Sequence, residues 1–168
     1  MAALKIGLEK FAPAFSTILK TLNPNLVIYD FNQTWVLATA SSLNIPVVLF
    51  LSFGALFISF TFHHVFKNPN VEYPFRAIHL HEYERSSFES MLEFSANGVK
   101  EKDLIFESIK RSRDVMLLKT SRGLDGKYID YFSTLVNKRI QPVSTLVQEP
   151  AKAKNDNDDG DGAINRMA

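Results

Sequence analysis

Two polar side chains stand where an open parallel sheet would use them. Asp30 closes the apolar run Leu26-Val27-Ile28-Tyr29, and Ser52 closes Val47-Val48-Leu49-Phe50-Leu51. Such sheets bind ligands beyond the carboxyl ends of their strands, so a carboxylate and a hydroxyl one strand–helix–strand unit apart are placed to handle a proton and to hydrogen-bond a substrate. Each also has a plainer reading: Asp30 as a helix N-cap or solvated turn carboxylate, Ser52 as a turn or cap hydroxyl. Spacing alone leaves both readings open.

The histidines raise a second chemistry. His63 and His64 are adjacent, and His79 and His81 cluster with Glu82 and Glu84. Helical zinc ligands sit one turn apart, whereas adjacent helical residues project about 100° apart, so His63 and His64 do not share an ion. His79 and His81 would share a strand face, but no third ligand at a recognisable spacing joins them. A polar loop lining a pocket is the better reading, and no metal is expected. Near the C-terminal end, Asn157-Asp158-Asp159-Gly160-Asp161-Gly162-Ala163-Ile164 matches the opening of an EF-hand loop. Its twelfth position, which needs a bidentate Glu, is Ala168, and no flanking helices are indicated, so calcium is not expected either.

The elements that must position these groups follow from periodicity. Leu4, Leu8, Phe11, Phe15, Leu19 and Leu22 lay one stripe along a helix or helix pair, which Pro13 should kink or split. Leu26–Asp30 reads as a strand buried on both faces, followed by a helix from about Gln33 to Leu43, a strand Val47–Leu51 and a helix Phe53–Phe66. Asn68–Tyr83, with Pro69 and Pro74, keeps no period and reads as a long loop. A helix over Lys102–Ser112, a strand Val115–Leu118, a helix Leu124–Val136 and a short strand Ile140–Val143 complete a second α/β stretch. The alternation predicts a parallel sheet with helices on both faces. From Ala151 the chain turns Lys/Asn/Asp/Gly-rich and reads as a solvated tail.

Composition removes several classes of function. Nineteen Lys and Arg against eighteen Asp and Glu leave a net charge of +1, too little to attract nucleic acid or an anionic membrane. The chain contains no cysteine, which removes thiol catalysis, disulfides and iron–sulfur ligation. Lys5, Glu9, Lys10 and Lys20 break any signal-peptide core, so a cytoplasmic location is expected. The uncharged run Ile45–Phe62 is barely long enough for a membrane span, but Pro46, Ser52, Gly54 and Ser59 interrupt it. A buried strand, turn and helix explain it better. The rival readings are a non-enzymatic membrane protein anchored by residues 45–62 and a small interaction module.

Several segments in order resemble the plant UDP-dependent glycosyltransferases of family 1. They are Leu22-Asn23-Pro24-Asn25-Leu26-Val27-Ile28-Tyr29-Asp30-Phe31, Ala40 to Phe50, Leu118-Lys119-Thr120, Gly126-Lys127-Tyr128-Ile129-Asp130-Tyr131, and Pro142-Val143 through Leu146-Val147-Gln148-Glu149-Pro150. The similarity is greatest to the branch that adds a sugar to a sugar already on a flavonoid or terpenoid. It implies a GT-B architecture, with residues 1–150 forming part of a Rossmann-like acceptor-binding N-terminal domain and residues 151–168 an acidic, flexible interdomain linker.

In that family an inverting displacement begins when a histidine deprotonates the acceptor hydroxyl and an aspartate orients the histidine. The resemblance puts Asp30 on the aspartate and Ser52 on a hydroxyl that contacts the donor sugar. It puts the loop Tyr73–Tyr83 along the acceptor pocket, with Phe31, Tyr73, Phe75 and His79 as lining residues. It also implies a small-molecule acceptor and a UDP-sugar co-substrate, no cofactor, and a monomer when complete. The family's catalytic histidine is expected upstream of Met1, since all four histidines here follow Asp30. The donor box is expected beyond the linker, and Trp35, just after the first strand, does not belong to it. Ser144-Thr145 replaces the usual Gly-Pro before Leu146. The chain by itself is expected to be inactive.

Overall fold

A computed structural model describes residues 7, 10–67, 71–96 and 98–143, and the structural statements below refer to these. The strands are β1 (Val27–Asp30), β2 (Val47–Leu51), β3 (Ser95–Ala96), β4 (Val99–Lys100), β5 (Val115–Leu118) and β6 (Arg139–Pro142). The helices are α1 (Ala12–Leu22), α2 (Thr34–Ser42), α3 (Ala55–Phe62), α4 (Glu82–Glu93), α5 (Glu101–Arg111) and α6 (Arg122–Val136), and α3 runs on into a wider π-helical turn, His63–Lys67. One parallel sheet has the order β1-β2-β5-β6, and β3 and β4 form a separate antiparallel hairpin.

Register explains the core. Tyr29 lies opposite Leu49, Leu49 opposite Met116, and Met116 opposite Ile140, so one row of buried side chains crosses all four strands. Helices α3 and α6 cover the sheet with Ile58, Phe62, Ile129 and Phe132, the Phe62 and Phe132 rings meeting edge to face at 5.9 Å. The uncharged run that imitated a membrane span is β2 plus α3, and its side chains fill this core. Among the described residues no helix is long and apolar enough to cross a membrane.

Helix ends are set locally. Asn23 closes α1 and Asn137 closes α6, both in the left-handed region, and Asn44 adopts it just after α2 (φ 42°, 53° and 56°). Asparagine tolerates that conformation better than other non-glycine residues because its short amide bonds locally.

The structure keeps one expectation and corrects three. The stripe is broken ahead of Pro13: Gly7 is helical, Lys10 and Phe11 form a turn, and Pro13 stands in the first turn of α1, where no N–H donor is needed. The first strand is not buried on both faces: β1 is the sheet edge, and Ile28 and Leu26 are 56% and 48% exposed. The long loop ends at His81, where α4 begins; the His81 N–H donates to Glu84 Oε2 at 2.9 Å, a cap that the irregular pattern before it concealed. The hairpin β3–β4 was not foreseen; its strands are too short to show a period, and Gly98 (φ 73°) supplies its turn. The tail, the EF-hand-like stretch and Ser144-Thr145 lie outside the described residues.

An uncovered edge has a consequence for solution behaviour. β1 carries no Lys, Pro or bulge to blunt its open backbone, and Phe11, Ile18, Leu22 and Ile28 leave apolar surface beside it. The chain is expected to associate progressively at micromolar concentration, and Ile28→Lys to suppress this. Light scattering across a dilution series is the check; a monodisperse, cooperatively unfolding wild-type monomer would contradict it.

Candidate functional site

The carboxyl ends of the strands gather the polar groups. Parallel register sets Asp30 beside Phe50 and Leu51 beside Leu118, so Asp30, Ser52 and Thr120 all emerge at one end of the sheet. Asp30 does not cap α2, whose N-cap is Gln33. Its Oδ1 accepts from the Asn32 backbone N–H at 3.0 Å and from Asn32 Nδ2 at 2.8 Å. No described residue bonds Oδ2, so the carboxylate is pinned by one oxygen and free to accept through the other.

Phe31, the next residue, is buried against Phe53 with ring centroids 5.0 Å apart. Its carbonyl lies 3.1 Å from the buried Ser108 hydroxyl of α5, whose single proton also faces the closer Leu104 carbonyl at 2.7 Å. Ser52 is exposed and follows β2 directly. Behind it, Asp125 of α6 braces the entry to α3: its Oδ2 accepts from the Ala55 N–H at 3.2 Å and from the Thr120 hydroxyl at 2.6 Å. A carboxylate at a helix start also opposes the positive end of the helix dipole. Sequence reading missed Asp125 because its partners lie on two other segments of the chain.

A separate cleft of about 570 Å³ opens between α3 with its π-helical turn, the loop 71–80, and α4. Tyr73 and His79 line it; Phe31 and Phe75 do not. Phe75 packs instead on Tyr128 and Tyr131, at 4.8 and 5.7 Å, with the Lys127 ammonium 5.3 Å from its ring. That cluster fastens the loop to α6. Tyr73 is almost wholly buried and meets the cleft through its ring, because its hydroxyl is 2.7 Å from Ser59 Oγ. Ser59 spends its own proton on the Leu56 carbonyl (3.1 Å), so Tyr73 is the donor. Burial pushes the Tyr73 phenol up to about 12, which keeps that proton in place at neutral pH.

The adjacent histidines serve different ends. His63 is buried, with Nε2 2.8 Å from the Val71 carbonyl and Nδ1 2.7 Å from the Tyr131 hydroxyl. A carbonyl only accepts, so Nε2 donates to Val71, and Nδ1 is bonded to the Tyr131 hydroxyl. Removing the ring in His63→Ala leaves two polar groups without it, an expected loss of about 1–3 kcal/mol for each. Urea unfolding of His63→Ala, Tyr131→Phe and the double variant checks this, and strictly additive losses would disprove the coupling. His64 lines the cleft; burial first, then the charges of His63 and Arg85, hold its imidazole below 6.5. Among the described residues no group of three or more His, Asp or Glu could hold a metal ion.

The parallel sheet with polar groups at its carboxyl end defines a Rossmann-like α/β unit, and solved structures sharpen that class. UGT2 of Phytolacca americana aligns with 88% of this chain and 36% of its own at a TM-score of 0.61 and 16% identity. Glycyrrhiza uralensis UGT73P12, complexed with glycyrrhetinic acid 3-O-monoglucuronide, aligns with 82% of this chain at a TM-score of 0.58 and 16% identity. The sheet and its helices match about a third of each of these GT-B glycosyltransferase chains. No family model matches the chain.

Curated sequences say more than the fold does. The chain is 39% identical over 164 residues to beta-D-glucosyl crocetin beta-1,6-glucosyltransferase of Gardenia jasminoides, covering 97% of this chain and 36% of that protein. It is 44% identical over 150 residues to UDP-glucosyltransferase 29 of Panax ginseng, covering 89% and 33%. By this homology the chain belongs to the plant UDP-glycosyltransferases, and it spans about a third of the length of the curated relatives it matches.

Proposed function

We propose that this chain supplies the acceptor side of sugar transfer from a UDP-sugar to a hydroxyl of a small-molecule glycoside, with inversion at the sugar carbon. The observation that carries the reading is Asp30: a carboxylate at the carboxyl end of β1 with one oxygen held by Asn32 and the other open. That is the geometry needed to accept an imidazole N–H, orient the base and stabilise its imidazolium as the acceptor proton leaves. The histidine is one supplied from outside the described residues. Ser52, exposed on the loop braced by Asp125, would hydrogen-bond the donor sugar.

The acceptor class is supported by relatives whose names specify glycosides. One acts on beta-D-glucosyl crocetin, another is a flavanone 7-O-glucoside rhamnosyltransferase from Citrus maxima, and a third is a cyanidin-3-O-glucoside glucuronosyltransferase from Bellis perennis. The complete protein would work as a cytoplasmic monomer, without metal or cofactor. The test is a graft: residues 10–143 replace the matching segment of the Gardenia enzyme. Transfer to a crocetin glucoside within about tenfold of the parent is the expected result; a folded, UDP-binding graft without transfer would refute the reading.

A further inference from the structure

The link Ser52-Phe53-Gly54 between β2 and α3 is bonded at both ends to one other stretch of the chain, residues 119–125, which leads from β5 into the first turn of α6. Before the link, the Leu51 carbonyl accepts from the Lys119 N–H at 3.0 Å; after it, the Ala55 N–H donates to Asp125 Oδ2 at 3.2 Å. The same Oδ2 takes the proton of the buried Thr120 hydroxyl at 2.6 Å, so the carboxylate also ties the end of β5 to the start of α6. In the middle of the link, the Phe53 ring packs 5.0 Å from Phe31, the residue after Asp30. The position of Ser52 is therefore set by groups outside its own link.

Helix capping alone does not call for this arrangement. α3 has no acidic residue in its first turn, and its N-cap is Gly54 at φ −70° and ψ 155°, the extended conformation in which a Ser or Asp would cap the helix locally. Room exists for such a residue, since a Cβ at Gly54 would meet Asp125 Oδ2 at 3.7 Å, an ordinary contact. The charge comes from α6 instead, and it fastens the far end of the Ser52 link to the neighbouring strand's connection. We infer that Asp125 is a positioning residue for sugar transfer, which holds the Ser52 hydroxyl where it meets the sugar of the UDP-sugar and acts through that hydroxyl. The inference rests on the reading of Ser52 given above. Replacing Asp125 by Ala releases the Ala55 N–H and the Thr120 hydroxyl together, and only the Leu51 bond and the Phe53 packing still restrain the link.

The test is a double-mutant cycle in the grafted enzyme, read as kcat/KM for UDP-glucose and, separately, KM for the crocetin glucoside. Ser52→Ala is expected to lower kcat/KM for UDP-glucose about tenfold and Asp125→Ala about fivefold, the scale of one hydrogen bond to a neutral sugar hydroxyl, with the glucoside KM unmoved. In the Ser52→Ala background, Asp125→Ala should cost less than about twofold more, because the hydroxyl it positions has already gone. Asp125→Asn, whose amide oxygen still accepts from Ala55 and Thr120, should keep about half or more of the unmodified value. Thr120→Val, with an expected loss of about threefold, takes the place of Asp125→Ala in the cycle if that variant does not fold. Losses that multiply in the double variant, or a loss that falls on the glucoside KM, would overturn the inference and leave Ser52 standing. A Ser52→Ala graft with unchanged kcat/KM for UDP-glucose would overturn the reading of Ser52 and the inference with it, as would a folded graft without transfer.

Discussion

Incubated with UDP-glucose and a panel of flavonoid and terpenoid glycosides, the 168-residue chain alone is expected to give no product above a no-protein control. Transfer requires a base, an oriented acceptor hydroxyl and a held UDP leaving group. None of the described histidines is bonded to Asp30: His63 is tied to Val71 and Tyr131, His64 faces the cleft beside Phe60, and His79 and His81 meet edge to face at 4.9 Å. Positioning two reactants is worth about 7–11 kcal/mol of barrier, and an acceptor cleft alone cannot supply it. Labelled-sugar transfer and calorimetry with UDP-glucose check the point. Product, or donor binding tighter than about 1 mM, would show that the site has been misplaced.

In the grafted enzyme, Asp30→Asn is expected to lower kcat by about 10²- to 10⁴-fold with little change in KM. The substitution keeps the side-chain shape, and the amide oxygen still accepts from the Asn32 N–H, so the turn after β1 survives. What disappears is the negative charge that stabilises an imidazolium formed only as the acceptor loses its proton. Asn32→Ala is the companion: it removes the Nδ2 bond while leaving the backbone bond and the charge, and a smaller loss is expected. Unchanged turnover in Asp30→Asn would refute the assignment of Asp30 to the base pair.

Local chemistry determined much of this protein in advance. Val47–Leu51 and Val115–Leu118 form the strands read from their apolar runs, and the helices over 34–42, 101–111 and 122–136 fall within two residues of their periodic patterns. Asp30 and Ser52 stand at strand ends for the same reason, because a polar residue ending a buried run marks where the strand leaves the core. The segments resembling plant glycosyltransferases carried family membership, since ordered matches along a chain record descent even where geometry is silent.

Tertiary structure decided the rest, and in each case through partners distant in sequence. Leu26 and Ile28 look like core residues, yet β1 is the sheet edge and nothing described covers them; exposure is a property of neighbours, which a strand's own residues do not encode. Asp125 became a brace only when α6 met the start of α3, and Tyr73 a committed donor only when Ser59 came opposite it. Phe31 and Phe75, both sensible pocket residues by type, were drawn into separate aromatic packings at the turn after β1 and on α6. Periodicity reports which face of an element is apolar; the packing of elements against one another determines which polar groups meet.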